Sequence, residues 1–408
     1  MLKLSVADSV IFYFLACWLL IDMLNGYLLR TGFPLSVSQF YKSFVAVIVI
    51  VRCFYSYPII KVVSCMIIYL FVYLINLILI GEDVGRSLIL ISKLLTSLLF
   101  FTYFLQVNNA DREYFLKKAK LIFIISFIIF SVNMILGVLG YGFSSYENGI
   151  GTCGFFYALN ELSGVLAVLS PWMFYYCKTN LATLGFYLCS TFLFFLSFAL
   201  GSKSGIVATF MFFFLINYSY GGQTERLIMI VLFVVMTIIG VIYIQQFLSA
   251  NLPVIERFSY FVEKQGFVDA LTSNRLHYWE DRSKEFYTSG VSVWLLGLGG
   301  QRTVEMDPFD ALLNCGLVGF VAVFFLYWKL ISSPLGRRHE SLQYSKVIFS
   351  SNLLLVFISI GGGHILFSSM AGMLIALSNA ILFGKRTIFN SREAIRMLLV
   401  KRLLIRYK

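Results

Sequence analysis

The chain has 408 residues, of which 59% are hydrophobic and 13% charged, and its mean hydropathy is +0.85. A soluble domain carries about a quarter charged residues, so this chain has too little polar surface to fold in water, and its apolar runs lack the stripes of soluble amphipathic helices. The net charge of +12 does not point to nucleic acid, because Lys and Arg are spread over short turns and the C-terminal segment without forming one patch.

The apolar runs predict an all-α polytopic membrane protein of about twelve transmembrane helices, with runs such as Leu121–Gly140 and Leu227–Ile244 approaching the ~20 residues that cross a hydrocarbon core. The expected spans are 9–28, 35–54, 62–81, 87–107, 120–140, 160–177, 181–200, 203–220, 227–248, 309–330, 346–360 and 364–384. They form one transmembrane domain over 1–384, with a large non-cytoplasmic loop at about 245–308 between the ninth and tenth helices and a basic amphipathic tail at 385–408. The first run begins near Ser9 without a small-residue cleavage signature, so it reads as a retained helix and not a signal peptide.

Orientation follows from the basic residues, which concentrate on the cytoplasmic side of membrane proteins. With both ends cytoplasmic, the inner segments hold Lys3, Arg52, Lys61, Arg112, Lys117, Lys118, Lys120, Lys178, Arg226, Lys329, Arg337, Arg338 and Lys346. The short outer loops hold only Arg30 and Arg86. The last pair is the weak point: 346–360 is short, Gly361-Gly362-Gly363-His364 must turn outside, and a re-entrant arrangement is the alternative.

Ionisable residues at membrane depth are expensive and point to function by default. Asp22, Lys42, Lys93, Glu161, Lys203 and His364 qualify. Lys203, in Gly201-Ser202-Lys203-Ser204-Gly205, lies on the side of the large loop and reads as functional ahead of snorkelling. For Lys42 and Lys93 the two readings stand level, and Glu161 and His364 are the weaker candidates.

The large loop is rich in aromatics, which argues against disorder, and carries Arg257, Lys264, Arg275, Arg282, Lys284 and Arg302 with eight acids and His277. Ser273–Thr288 reads as a helix with Arg275, Trp279 and Arg282 on one face. Guanidinium groups hold phosphate oxygens and an indole suits a sugar ring; equally, both arginines can pair with Glu280, Asp281 and Glu285 on a solvated face. At Glu305-Met306-Asp307-Pro308-Phe309-Asp310 three carboxylates gather where the next helix starts. Capping by Asp307, with Pro308 at the first position and Asp310 in the first turn, accounts for two of them and poorly for Glu305. A carboxylate there can also take a proton from a sugar hydroxyl.

The tail Ser391–Lys408 alternates Leu and Ile with Arg and Lys. It suits an anionic inner leaflet, although a plain anchoring tail is the simpler reading. The seven cysteines show no CxxC spacing, so neither a metal site nor a disulfide framework is expected. No cofactor is expected either.

Three blocks resemble the bacterial O-antigen polymerase and O-antigen ligase superfamily. They are Gly151-Thr152-Cys153-Gly154-Phe155-Phe156-Tyr157-Ala158-Leu159-Asn160 running into Pro171; Gly201-Ser202-Lys203-Ser204-Gly205, with Lys where the family usually shows Arg; and Asn274-Arg275, Trp279, Leu296-Gly297-Leu298-Gly299, Glu305 to Asp310 and Gly316-Leu317-Val318-Gly319. Ligases carry a His-Asn pair near Met306-Asp307, so the resemblance favours a polymerase and counts against histidine chemistry. It implies a metal-independent glycosyltransferase that joins polyprenyl-pyrophosphate-linked repeat units at the outer membrane face, building O-antigen, capsule or another exopolysaccharide. Arg275, Arg282 and Lys203, with Arg302 in reserve, would stabilise the pyrophosphate. Asp307 or Glu305 would activate the acceptor, and Trp279 would stack on sugar. Membrane lipids, a chain-length regulator and a flippase are the implied partners. A ligase, or a flippase or other transporter, is the alternative; transporters typically show internal repeats, and none is visible here.

Overall fold

The structure, a computed structural model, describes residues 6–33, 36–54, 70–79, 81, 83–145, 151–248, 275–299, 304–332, 342–361 and 363–383. The helices in chain order are α1 (Val6–Ala16), α2 (Trp18–Arg30), α3 (Val37–Phe54), α4 (Leu70–Leu79), α5 (Val84–Ala110), α6 (Arg112–Val138), α7 (Leu159–Asn180), α8 (Thr183–Leu200), α9 (Lys203–Tyr220) and α10 (Gln223–Leu248). After them come α11 (Arg275–Thr288), α12 (Val291–Leu296), α13 (Asp307–Ile331), α14 (Leu342–Gly361) and α15 (Ser369–Ala380), the last continued by a 3-10 turn at Ile381–Phe383. Among the described residues four helices, α5, α6, α8 and α13, are long and apolar enough to cross a membrane, or five if the bent pair α1–α2 is one span. The chain is a helical, multi-pass membrane protein.

Polarity is arranged for a lipid solvent. On α13 the large hydrophobic side chains Leu317, Val318, Val321, Phe324, Phe325 and Trp328 are exposed, while Asp310 and Asn314 are buried. Such inversion is expected where hydrocarbon, not water, covers the outside. The two innermost helices are α7, buried continuously from Glu161 to Tyr175, and α15, buried from Met370 to Ala380. Small residues on α15 let neighbours approach closely; a Cβ on Gly372 would lie 2.6 Å from Ser97 Oγ. Hydrogen bonds tie these helices together: Trp172 Nε1 donates to Ser378 Oγ at 3.0 Å, and the amides of Asn352 and Asn379 exchange bonds of 2.8 and 3.1 Å.

One end of the bundle carries a small hairpin that the all-helical expectation missed, β1 (Phe143–Ser144) paired antiparallel with β2 (Thr152–Gly154). Asn133 of α6 explains it: its Nδ2 donates to the Cys153 carbonyl at 3.0 Å and its Oδ1 accepts from Phe155 N–H at 2.7 Å. At the far end, Arg52 grips Asp8 through two bonds of 3.0 Å, and Lys178 pairs with Glu225 at 3.0 Å.

Three expected spans are interrupted. The run 9–28 bends by 43° at Cys17 between α1 and α2. The run 309–330 breaks at Gly316, which sits at φ 63 and ψ −173. There the carbonyls of Leu313 and Asn314 accept from Leu298 N–H at 2.7 Å and Gly299 N–H at 3.3 Å, and Asn314 accepts also from Tyr73 at 3.0 Å. Backbone groups released within a membrane need such partners. The close approach demands glycine on both sides, since a Cβ on Gly297 would lie 2.3 Å from the Asn314 carbonyl and one on Gly316 2.4 Å from the Leu295 backbone. Lastly, 364–384 is helical only from Ser369, so α15 is a half-length helix entered by an extended turn. Of the expected span 62–81 the described part is helical over Leu70–Leu79. The tail at 385–408 lies outside the described residues, as does 249–274 of the large loop.

Candidate functional site

Ionisable groups from seven separated segments meet at the hairpin end of the bundle. Lys42 on α3 reaches Asp22 on α2 at 2.7 Å and Ser369 Oγ at 3.1 Å. Lys93 on α5 reaches Glu161 on α7 at 2.9 Å. The other Glu161 oxygen accepts from Ser368 Oγ at 2.7 Å and from Met370 N–H at 3.2 Å. Ser368 also caps α15 by accepting from Met370 and Ala371. The start of the half-length helix is therefore shared between the two ion pairs. A carboxylate at a helix N-terminus is favoured by the free amides and the dipole.

Next to this quartet, Asp307 is fully buried and accepts three bonds: His364 Nδ1 at 3.1 Å, Ile365 N–H at 3.0 Å and Leu366 N–H at 2.7 Å. Asp310 lies 3.7 Å from the same imidazole nitrogen. A carboxylate with only lone pairs to offer makes Nδ1 the donor, which leaves Nε2 as the basic nitrogen. Among the described residues Nε2 has no hydrogen-bond partner, and the side chain is 19% exposed.

At the rim, Glu305 Oε2 accepts from Arg275 at 3.1 Å and Asn160 at 3.2 Å. Glu305 has φ +61, the positive-φ position among described residues that is not glycine. Such backbone costs an L-residue about 1–2 kcal/mol and clusters at functional sites.

The sequence-selected residues divide. Arg275, Glu305 and Asp307 come together with Lys93, Glu161, Lys42, Asp22 and His364. Asp307 does not cap its own helix, as capping logic expected; Met306 is the N-cap, without a side-chain bond, and Asp307 serves the 364–366 turn instead. Arg282 follows the solvated-face alternative and pairs with Glu285 at 2.6 Å, away from the cluster. Trp279 packs its ring 4.4 Å from Phe309, in a small core with Phe286, Val293, Val304, Met306 and Leu313. It seats the loop helix on α13.

Lys203 is the exposed first residue of α9. Its neighbours explain themselves: Gly201 closes α8 at φ 70, and Ser202 caps α9 and bonds Ser163 of α7 at 2.8 Å. A cation at a helix N-terminus opposes the dipole, so capping leaves Lys203 unexplained. Arg302 lies outside the described residues.

His364 was the residue most undervalued by sequence. Its signals were its ionisable side chain near membrane depth and the Gly-rich break before it, and its partner lies 57 positions away. Among the described residues no group of three or more His, Cys, Asp or Glu side chains is arranged to hold a metal ion. Comparisons with protein-family models, curated proteins and solved structures find no match to this chain.

Proposed function

We propose that this chain is a polysaccharide polymerase of the O-antigen polymerase type. It would join polyprenyl-pyrophosphate-linked repeat units at the outer face of a bacterial cytoplasmic membrane, crossed about twelve times with both ends inside. The observation that carries the reading is the buried Asp307 holding His364 by Nδ1, with Nε2 open, beside Lys93 and the Arg275–Glu305 rim.

The chemistry balances as follows. The acceptor hydroxyl loses its proton to His364 Nε2 while its oxygen bonds to the anomeric carbon of the donor. The bond from that carbon to the pyrophosphate oxygen breaks, and polyprenyl pyrophosphate leaves with the electron pair. In a departure from the histidine-free chemistry that the resemblance implies, Asp307 does not activate the acceptor itself but keeps the imidazole in the accepting tautomer and stabilises the imidazolium. The leaving group needs cations. Lys93, whose side chain is 31% exposed, and Arg275 at the Glu305 rim would supply them, with Lys203 and Arg302 as further contributors.

Electrostatics limits this assignment and favours a second reading. Asp22, Glu161, Glu305, Asp307 and Asp310 outnumber Lys42, Lys93 and Arg275 in the cluster. A pyrophosphate therefore needs the outlying cations to join. Surplus buried carboxylates and a helix broken at Gly316 also suit a proton-coupled transporter of lipid-linked oligosaccharide.

Purified chain given lipid-linked repeat units distinguishes the two. A ladder of longer products supports the polymerase. Movement of single units across proteoliposomes without lengthening supports the transporter.

A further inference from the structure

Asp310 makes two bonds of an unusual kind. Its oxygens accept from Val304 N–H at 2.6 Å and from Met306 N–H at 3.0 Å, the amides on either side of Glu305. Asp310 is 1% exposed, and Val304 and Met306 are 0% and 2% exposed, so the clamp is fixed on both flanks. Between them Glu305 is forced to φ +61. Its side chain is 49% exposed and points away from the packing. Both of its hydrogen bonds, from Arg275 and Asn160, fall on Oε2; Oε1 has no partner among the described residues.

Reach-back capping by Asp310 accounts for the two amide bonds. It does not account for a glutamate in a backbone conformation where glycine or asparagine would sit with less strain. Strain that brings no packing return marks a side chain held for use. A carboxylate with one oxygen tied down and the other open, flanked by an amide and a guanidinium, matches the donors and acceptors of a sugar hydroxyl pair.

We propose that Glu305 Oε1 binds a hydroxyl of the acceptor sugar, and that Asp310 is the positioning residue that sets it there by clamping the amides of Val304 and Met306. The proposal rests on the transfer reading above. It adds a hydroxyl-binding point at the rim, distinct from the base His364.

The test is a double-mutant cycle in the purified full chain, with kcat and KM for the acceptor measured on lipid-linked repeat units. Asp310→Asn removes one arm of the clamp and is expected to lower kcat/KM by about tenfold or more, as does Glu305→Gln. The double variant should be no worse than Glu305→Gln alone, because Asp310 acts through Glu305. Undiminished loss from Asp310→Asn in the Glu305→Gln background would overturn the proposal, and would show that Asp310 acts through His364 at 3.7 Å.

Should Asp310→Asn not fold, Glu305→Asn decides the matter. Asparagine tolerates this backbone better, so the variant should melt no lower than the parent yet lose acceptor turnover by a similar factor. Parental turnover in that variant would overturn the proposal. A parent chain that transfers nothing overturns the transfer reading itself, which is a different result from an active parent with an equally active Glu305→Asn.

Discussion

The carboxylate of Asp307 accepts a hydrogen bond from Nδ1 of His364 at 3.1 Å, joining the first residue of α13 to the turn that opens α15. The same carboxylate accepts two backbone amides of that turn. One buried acid therefore orients a base and holds a non-helical segment inside the bundle. These two duties can be separated by mutation.

Replacing His364 by Gln should abolish general-base assistance and lower transfer by about a hundredfold to ten-thousandfold, with little change in melting temperature. Replacing Asp307 by Ala should lower transfer as well, and also strand the amides of Ile365 and Leu366 at about 1–3 kcal/mol each. Thermal unfolding in detergent, measured beside a polymerisation assay, checks both. A His364→Gln protein with full activity would remove the imidazole from the mechanism.

Lys93 and Glu161 form an ion pair whose acid is 8% exposed. Removing one partner of a buried pair costs about 3–5 kcal/mol, because the other charge is left uncompensated. At 31% exposure Lys93 is partly wetted, so Lys93→Ala should fall at or below the lower end of that range. Glu161→Gln should restore part of the lost stability when combined with Lys93→Ala. A double variant whose melting loss equals the sum of the Lys93→Ala and Glu161→Gln losses would show that the pair does not stabilise the fold.

Gly316→Ala should prevent the interlock between α12 and α13. The substitution adds a Cβ at 2.4 Å from the Leu295 backbone and strains φ 63. Strain and overpacking together cost about 2–5 kcal/mol. Size-exclusion profiles of detergent-solubilised protein should show aggregation or loss of yield. A monodisperse, parental profile would mean that the helix break is dispensable.

Arg275 and Arg282 share a helix but not a role. Arg275 is 11% exposed and bonded to Glu305; Arg282, half-buried at 27% exposure, pairs with the exposed Glu285. Arg275→Ala is expected to cut transfer sharply. Arg282→Ala should leave it near parental, with at most about 1 kcal/mol of stability at stake. Comparable losses from the two variants would place Arg282 in the site by some other route.

Much of the fold was legible in the chain because hydrocarbon sets simple demands. Apolar runs gave α3, α5, α7, α8, α9 and α10 within a few residues of their bounds. The helical pattern of Ser273–Thr288 became α11. The breaks were less visible. Gly316 lies in an apolar run that reads as continuous helix, and its departure depends on carbonyl partners supplied by Leu298 and Gly299. The half-length α15 was hidden for the same reason, since Asp307 and Glu161 satisfy its entry from elsewhere in the chain.

The sequence by itself determined that the chain lives in a membrane and which runs are helical. Those properties come from local composition and periodicity, and a window of about twenty residues contains them. Only the tertiary structure decided which charges meet. Asp22 with Lys42, Lys93 with Glu161, Arg275 with Glu305 and Asp307 with His364 are pairs between segments. Charge pairing acts over a few ångströms of space, and no spacing along the chain encodes it.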